Sequence, residues 1–185
     1  MKASKSSAGP NRASGFTLIE LMIALSIVGI LLAVAVPSFR EAMMNVRISA
    51  QTNDLMTDLS VARSEAVKRS LPVLLCTSKD GLACGGNWSD GWIVFVDADN
   101  NAAVSNGDLV MKSRPAAEGN NSIVATAGTD TLSAVSYRPT GLTGNKNVVK
   151  FSICDTRTAT KSGREIEITV TGRAKATPVM CATAP

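Results

Sequence analysis

Gly15-Phe16-Thr17-Leu18-Ile19-Glu20-Leu21 opens a run, FTLIELMIALSIVGILLAVAV over residues 16–36, in which Glu20 is the single charge. A helix rises about 1.5 Å per residue, so this run reaches about 30 Å, the thickness of a bilayer's hydrocarbon core. The preceding segment, MKASKSSAGPNRASG, carries Lys2, Lys5 and Arg12 and no acid, which places the N-terminus on the cytoplasmic side by the positive-inside bias. Two ordinary readings of such a run are a secretory signal peptide, with Ala33-Val34-Ala35 as its small-residue cleavage site, and a plain membrane anchor. Signal cores usually hold about 7–15 apolar residues, so this one is long for that role. Neither reading accounts for Glu20, since a carboxylate costs about 2.5–3.5 kcal/mol at the bilayer centre and less toward the interface.

Downstream of the run, Ser38 to Ser70 keeps a helical pattern, with Leu55, Leu59, Ala62 and Ala66 on one face. Pro37 between the two halves is expected to kink the helix or mark a local break, because it removes a hydrogen bond and clashes with the preceding turn. Pro72, after Lys68-Arg69 at the negative helix end, closes the helix. From Val73 the texture becomes short β-rich runs separated by Gly, Asn, Asp and Pro, which predicts strands near 73–77, 91–97, 109–113, 132–137, 147–154 and 164–171. Segments 98–108 and 114–130 read as loops. The run Arg164-Glu165-Ile166-Glu167-Ile168-Thr169-Val170 alternates, so its Ile/Val face is expected on the core and its charged face in water. A long helix against an antiparallel sheet is an α+β architecture.

Composition narrows the chemistry. The 185 residues are 45% hydrophobic and 18% charged, which suits one domain with an added apolar segment. The absence of histidine excludes Ser-His-Asp and Cys-His nucleophile systems and the common zinc motifs, and no other catalytic constellation is visible. At 4% aromatic residues the chain also lacks the stacking platforms of single-strand binders.

GFTLIEL directly after a short basic leader resembles the prepilin cleavage motif of type IV pilins and type II secretion pseudopilins. The resemblance implies cutting by a membrane prepilin peptidase between Gly15 and Phe16, retention of the apolar run, and N-methylation of Phe16. Glu20 then becomes the fifth residue of the mature chain. A buried ammonium needs a partner, so Glu20 is expected to neutralise the Phe16 amine of a neighbouring subunit and set the stagger between subunits. The alternative is pairing within its own first turn, where the helix dipole also favours a carboxylate.

Within that superfamily, Ala62-Arg63-Ser64-Glu65-Ala66-Val67 and Gly91-Trp92-Ile93-Val94-Phe95-Val96-Asp97 are similar to the GspH/FimT family of minor pilins and pseudopilins. Gly172-Arg173-Ala174-Lys175 resembles a Gly-Arg-x-Arg element near the end of FimT-like proteins, here with lysine in the last place. Lysine keeps the charge and loses the planar fork that grips phosphate. Residues 141–185 hold seven Lys/Arg against three Asp/Glu, whereas residues 16–140 hold nine against twelve. Lys146, Lys150, Arg157, Lys161, Arg164, Arg173 and Lys175 are therefore candidates for a basic surface facing phosphate, with Arg164, Arg173 and Lys175 as DNA-binding residues. A solvated face that contacts the next pilin is the alternative.

Four cysteines in an exported domain suggest two disulfides, and of three possible pairings Cys76 with Cys84 and Cys154 with Cys181 is favoured. Free thiols or a metal site are the alternatives; without Cys-x-x-Cys or histidine no metal is expected. Asp97, Asp99, Asn101 and Asp108 stand at EF-hand-like positions, but Ala102 replaces the turn glycine and no helix pair flanks them, so Asx-turn chemistry is the better account.

The expected layout is a leader at 1–15, a transmembrane and assembly helix at 16–37, an amphipathic helix half at 38–71 and a periplasmic β-rich head at 72–185. The expected protein is a non-enzymatic minor pilin without cofactor, single-pass in the inner membrane before it joins the pilus. Its expected partners are the prepilin peptidase, other pilins and double-stranded DNA taken up in natural transformation. A type II secretion pseudopilin acting in protein export and a soluble periplasmic binding protein with a cleaved signal peptide are the alternatives.

Overall fold

The computed structural model describes residues 16–105, 107–155 and 162–181, which divide into one unit through Glu41 and another from Ala42 onward. In the first unit α1 (Leu18–Arg69) begins, capped by Thr17, whose Oγ1 accepts the Glu20 N–H at 3.2 Å. The apolar side chains from Phe16 to Val36 are exposed, and by length and composition the helix can cross a membrane. The break considered at Pro37 does not occur: α1 continues through that residue, the hydrogen bonds of the flanking turns outweighing the bond it forfeits and the crowding of its ring on the preceding turn.

In the second unit the later turns of α1 bury Ile48, Thr52, Leu55, Asp58, Leu59, Ala62 and Ala66. These recur at intervals of three and four, one stripe of a 3.6-residue helix. Nine strands follow among the described residues: β1 (Val73–Thr77), β2 (Trp92–Val96), β3 (Leu109–Arg114), β4 (Ser122–Ala127), β5 (Asp130–Thr131), β6 (Ala134–Tyr137), β7 (Val149–Cys154), β8 (Ser162–Ile168) and β9 (Ala174–Met180). They form two antiparallel sheets, ordered β3-β2-β1-β6 and β5-β4-β7-β8-β9. One core takes the helix stripe together with Val73, Leu75, Val94, Val135 and Tyr137 from the first sheet and Ile123, Phe151, Ile153, Ile166 and Ile168 from the second. Trp88 meets Phe151 edge to face at 4.8 Å within it.

β2 reads as an unbroken apolar run because both of its faces are covered. Trp92, Val94 and Val96 join the main core, while Ile93 and Phe95 form a second cluster with Leu74 and Cys76, against which Val104 of the 97–108 loop packs.

Two expectations about the second sheet are corrected. Segment 114–130 is not all loop, since it contains β4 and the start of β5; SIVATA at β4 is too short and too weakly apolar to stand out. β8 ends at Ile168, and a further strand, β9, follows it. Val170 therefore lies in the turn between them and is exposed, whereas Ile166 and Ile168 are buried as the alternation requires. β9 hides in the sequence because it is an edge strand containing Pro178. The Thr169 N–H donates to the Arg173 carbonyl at 3.0 Å, so residues 169 and 173 face each other in a hydrogen-bonded pair. Alternation then puts Arg164 opposite Pro178 in a non-hydrogen-bonded pair. The N–H that proline lacks would have pointed to the open edge, where its absence costs no ladder bond and blunts strand addition.

Disulfides join Cys76 to Cys84 and Cys154 to Cys181. The second spans β8 at Gly163, where a Cβ would collide with the Cys181 Sγ.

Candidate functional site

α1 is fastened to the first sheet through Asp58, a carboxylate with 0% exposure inside the apolar stripe. It accepts from Lys112 Nζ at 2.8 Å, Arg114 Nε at 2.9 Å and Trp92 Nε1 at 3.0 Å. The register explains the convergence: Arg114 lies opposite Trp92 and Lys112 opposite Val94, so both cations project from edge strand β3 on the core side. Burial pushes the Asp58 carboxyl up, but hydrogen bonds from Arg114, Lys112 and Trp92 and the Arg114 charge outweigh it and hold the group below the ordinary carboxylate range.

The second sheet is fastened by Arg63, one turn further on. Its Nε donates to the Gly141 carbonyl at 3.0 Å and its Nη2 to the Thr171 carbonyl at 3.1 Å. One guanidinium thus ties the turn after β6 to the turn between β8 and β9. Gly172 has φ +78°, and a Cβ there would collide with the Gly141 carbonyl, so glycine is needed for both the turn and the close approach. The helix, Tyr137 and this turn enclose a cleft of about 210 Å³ whose lining includes Ser60, Arg63, Tyr137 and Arg173 and no carboxylate. Burial pushes the Tyr137 phenol up to about 12, against the pull of the Arg63 charge, so it stays protonated.

Of the three residues expected to bind DNA, the structure sets Arg164 apart and leaves Arg173 and Lys175 two positions from each other on one side of the second sheet. Arg173 stands exposed at the β8–β9 turn and, among the described residues, makes no ion pair. Arg164 is five positions from the hairpin end along β8, about 17 Å at strand rise, on the face of Ile166 and Ile168. Lys175 lies on the opposite face of that sheet, directly across from Glu167. Lys150, on the same face as Lys175, is paired with Glu165 at 2.9 Å. Arg157 and Lys161 lie outside the described residues, as does Gly15 of the cleavage motif.

Sequence reasoning missed Asp58 and Arg63. The signal for Asp58 was present, a charge three residues after Leu55 and four before Ala62 on the apolar face. Nothing local signals Arg63, whose partners lie 78 and 108 residues away. In the 97–108 loop the carboxylates of Asp97, Asp99 and Asp108 lie within 4.8 Å of one another. Asp99 accepts the N–H of Asn101 and Asn101 that of Ala103, the Asx turns expected there, while Asp97 accepts from Asn101 and Ala102 and Asp108 from Ala98 and Ser105.

Residues 51–172 match the family described as type II transport protein GspH. The chain belongs to the GspH family. Ahead of the GspH region, residues 10–36 match the prokaryotic N-terminal methylation motif. The GspH chain is 28% identical over 152 residues to the type IV major fimbrial protein FimA of Dichelobacter nodosus, covering 80% of this chain and 90% of that one. It is 34% identical over 102 residues to the type IV narrow pilus major component PilA5 of Thermus thermophilus, covering 51% of this chain and 78% of that one. Its fold matches the type IV minor pilin FimU of Pseudomonas aeruginosa with a TM-score of 0.57 at 19% identity, over 73% of this chain and 91% of that one. This GspH protein is thus a member of the type IV pilin and pseudopilin superfamily with a minor-pilin fold. A soluble binding protein with a cleaved signal peptide gives way to that membership.

Proposed function

We propose that this GspH-family chain is a minor type IV pilin that contributes duplex-DNA binding to the pilus. Prepilin peptidase cuts between Gly15 and Phe16, Phe16 is N-methylated, and α1 holds the chain single-pass in the inner membrane with its head in the periplasm. Assembly with other pilins follows, with Glu20 meeting the Phe16 amine of a neighbour. The role is structural and adhesive, without a reaction.

One observation carries the DNA reading: Gly172, in the left-handed region, turns the chain from β8 into β9 and leaves Arg173 and Lys175 exposed two positions apart at the start of β9. A fork on a rigid turn suits phosphate, and phosphate contacts are sequence-independent and salt-sensitive. Lys175 stands two positions along on the same side of the strand, and Arg164, on the opposite face, adds long-range attraction. Full-length protein in detergent, tested by mobility shift, is expected to bind duplexes of unrelated sequence alike. Arg173→Gln is expected to weaken all of them and to reduce transformation while pili persist. No shift by the wild type at low salt defeats the reading.

The family's description favours a second reading, a type II secretion pseudopilin that meets exported proteins. On that reading deletion impairs export and leaves transformation untouched.

A further inference from the structure

We infer that the cleft between α1 and the β8–β9 turn is a receptor for one carboxylate side chain of an adjoining pilin, taken by Arg63, Tyr137 and Ser60; the inference rests on assembly into a pilus and not on the DNA reading. Arg63 and Tyr137 meet at Gly172. The point where a Cβ of that glycine would stand lies 3.1 Å from Arg63 Nε and 3.2 Å from Tyr137 Cε1, the ring carbon next to the one that bears the hydroxyl. Guanidinium and phenol are therefore neighbours. Tyr137 is 1% exposed, with its side chain in the core beside α1, yet its hydroxyl makes no hydrogen bond among the described residues. The unpartnered side-chain oxygens sealed from solvent there are those of Thr77 and Asn145, so the Tyr137 hydroxyl, unsealed, opens on the cleft that its ring lines. Arg63 spends Nε and Nη2 on the Gly141 and Thr171 carbonyls and keeps Nη1 unused. Ser60, three residues back on the exposed side of the helix, has an equally unspent hydroxyl. Arg173 projects to the other face of the sheet with Lys175 and takes no part.

These three groups set the chemistry of the occupant. All of them donate, and no carboxylate in the lining answers the Arg63 charge, so an anion is favoured. The cleft holds about 210 Å³ between Met56, Leu59 and Ala174, below the ~300–1,000 Å³ of small-molecule sites and suited to a single side chain. Two backbone carbonyls already direct Arg63, and core packing holds the Tyr137 ring, so little ordering is left to the encounter. One carboxylate contact is weak from free solution. Carried on a neighbouring subunit it is delivered at high effective concentration, which is why the occupant is a pilin side chain rather than a free acid.

Arg63→Gln would free both turns, so Tyr137→Phe and Ser60→Asp are the sharper variants. The first removes a hydroxyl that bonds nothing in the head; the second sets a carboxylate on the cleft's own wall, where it takes the spare donors. Both are expected to keep the wild-type thermal midpoint and to be about tenfold scarcer in immunoblots of sheared pili, the worth of a hydrogen bond to a charged group. The chain's single tyrosine supplies a second readout. In full-length protein in detergent with ring-labelled tyrosine, sodium acetate is expected to shift the Tyr137 NMR signal where sodium chloride at equal ionic strength does not, and Ser60→Asp to abolish the response. If the wild type is missing from pili, the assembly reading falls and the receptor with it. If the wild type is present and either variant enters equally well, or if acetate moves the signal no further than chloride, the receptor is overturned while assembly stands. Normal entry of Ser60→Asp joined to a loss of duplex affinity would give the cleft to phosphate, and overturns it as well.

Discussion

Asp58 and Gly163 show how single residues hold the head together. Asp58 satisfies two cations and an indole from inside the helix stripe. Asp58→Asn keeps the shape and removes the charge, leaving Lys112 and Arg114 against a neutral amide. The expected loss is about 2 kcal/mol, below the ~3–5 kcal/mol of a fully buried pair because Lys112 and Arg114 keep 35% and 31% of their side-chain surface in water. The thermal midpoint should fall by roughly 4–8 °C. Because the folded-state pKa of Asp58 is depressed, its contribution is complete above the ordinary carboxylate range, about pH 4, and is lost as the pH falls through the depressed value. Acid unfolding of the wild type should therefore steepen below about pH 4 and be shallower in Asp58→Asn; equal melting of the two at neutral pH would assign the network no net stability. Gly163 is glycine because the Cys154–Cys181 bridge passes over it. Gly163→Ala is expected to release free thiols in non-reducing peptide maps and to forfeit about 3.5 kcal/mol of loop-closure stabilisation, from a 27-residue separation.

At the scale of elements, α1 has two surfaces with different duties. Its first half exposes every apolar side chain from Phe16 to Val36, and its second half buries one stripe in the head. Glu20 stands in the first turn, with its N–H capped by Thr17 and its side chain exposed. Glu20→Ala and Glu20→Val should leave the protein cleaved and membrane-inserted but scarce in sheared pili, because an unpartnered Phe16 ammonium is costly to bury. Wild-type incorporation of both variants, read by immunoblot, would remove Glu20 from assembly. The edge strands show a complementary economy. β3 turns Lys112 and Arg114 inward onto Asp58, and β9 carries Pro178 where no ladder bond is lost. Such strands owe their place to neighbours rather than to an apolar pattern of their own. That is why β9 was illegible in the sequence while β1, β2 and β8 were clear.

For the whole molecule, the proposal turns on a chain processed once and then retained. Mass spectrometry of the N-terminal peptide is expected to find Phe16 first and methylated; a terminus just after Ala35 would remove the apolar helix and end the pilin assignment. The sequence by itself determined the anchor-like helix, the α+β plan, the family likeness and most of the strands. These depend on local periodicity, helix breakers and a short motif, all of which are written in neighbouring residues. It also supplied the residue types of the basic end, with Arg173 among them. What it could not decide was which of those cations stand together. Arg164 and Lys175 are parted by strand alternation and register, and Arg63 is brought to the Gly141 and Thr171 carbonyls by contacts across 78 and 108 residues. Charge composition is additive along a chain, but a binding site is a matter of distance and direction, and only the packing of α1 against both sheets sets those.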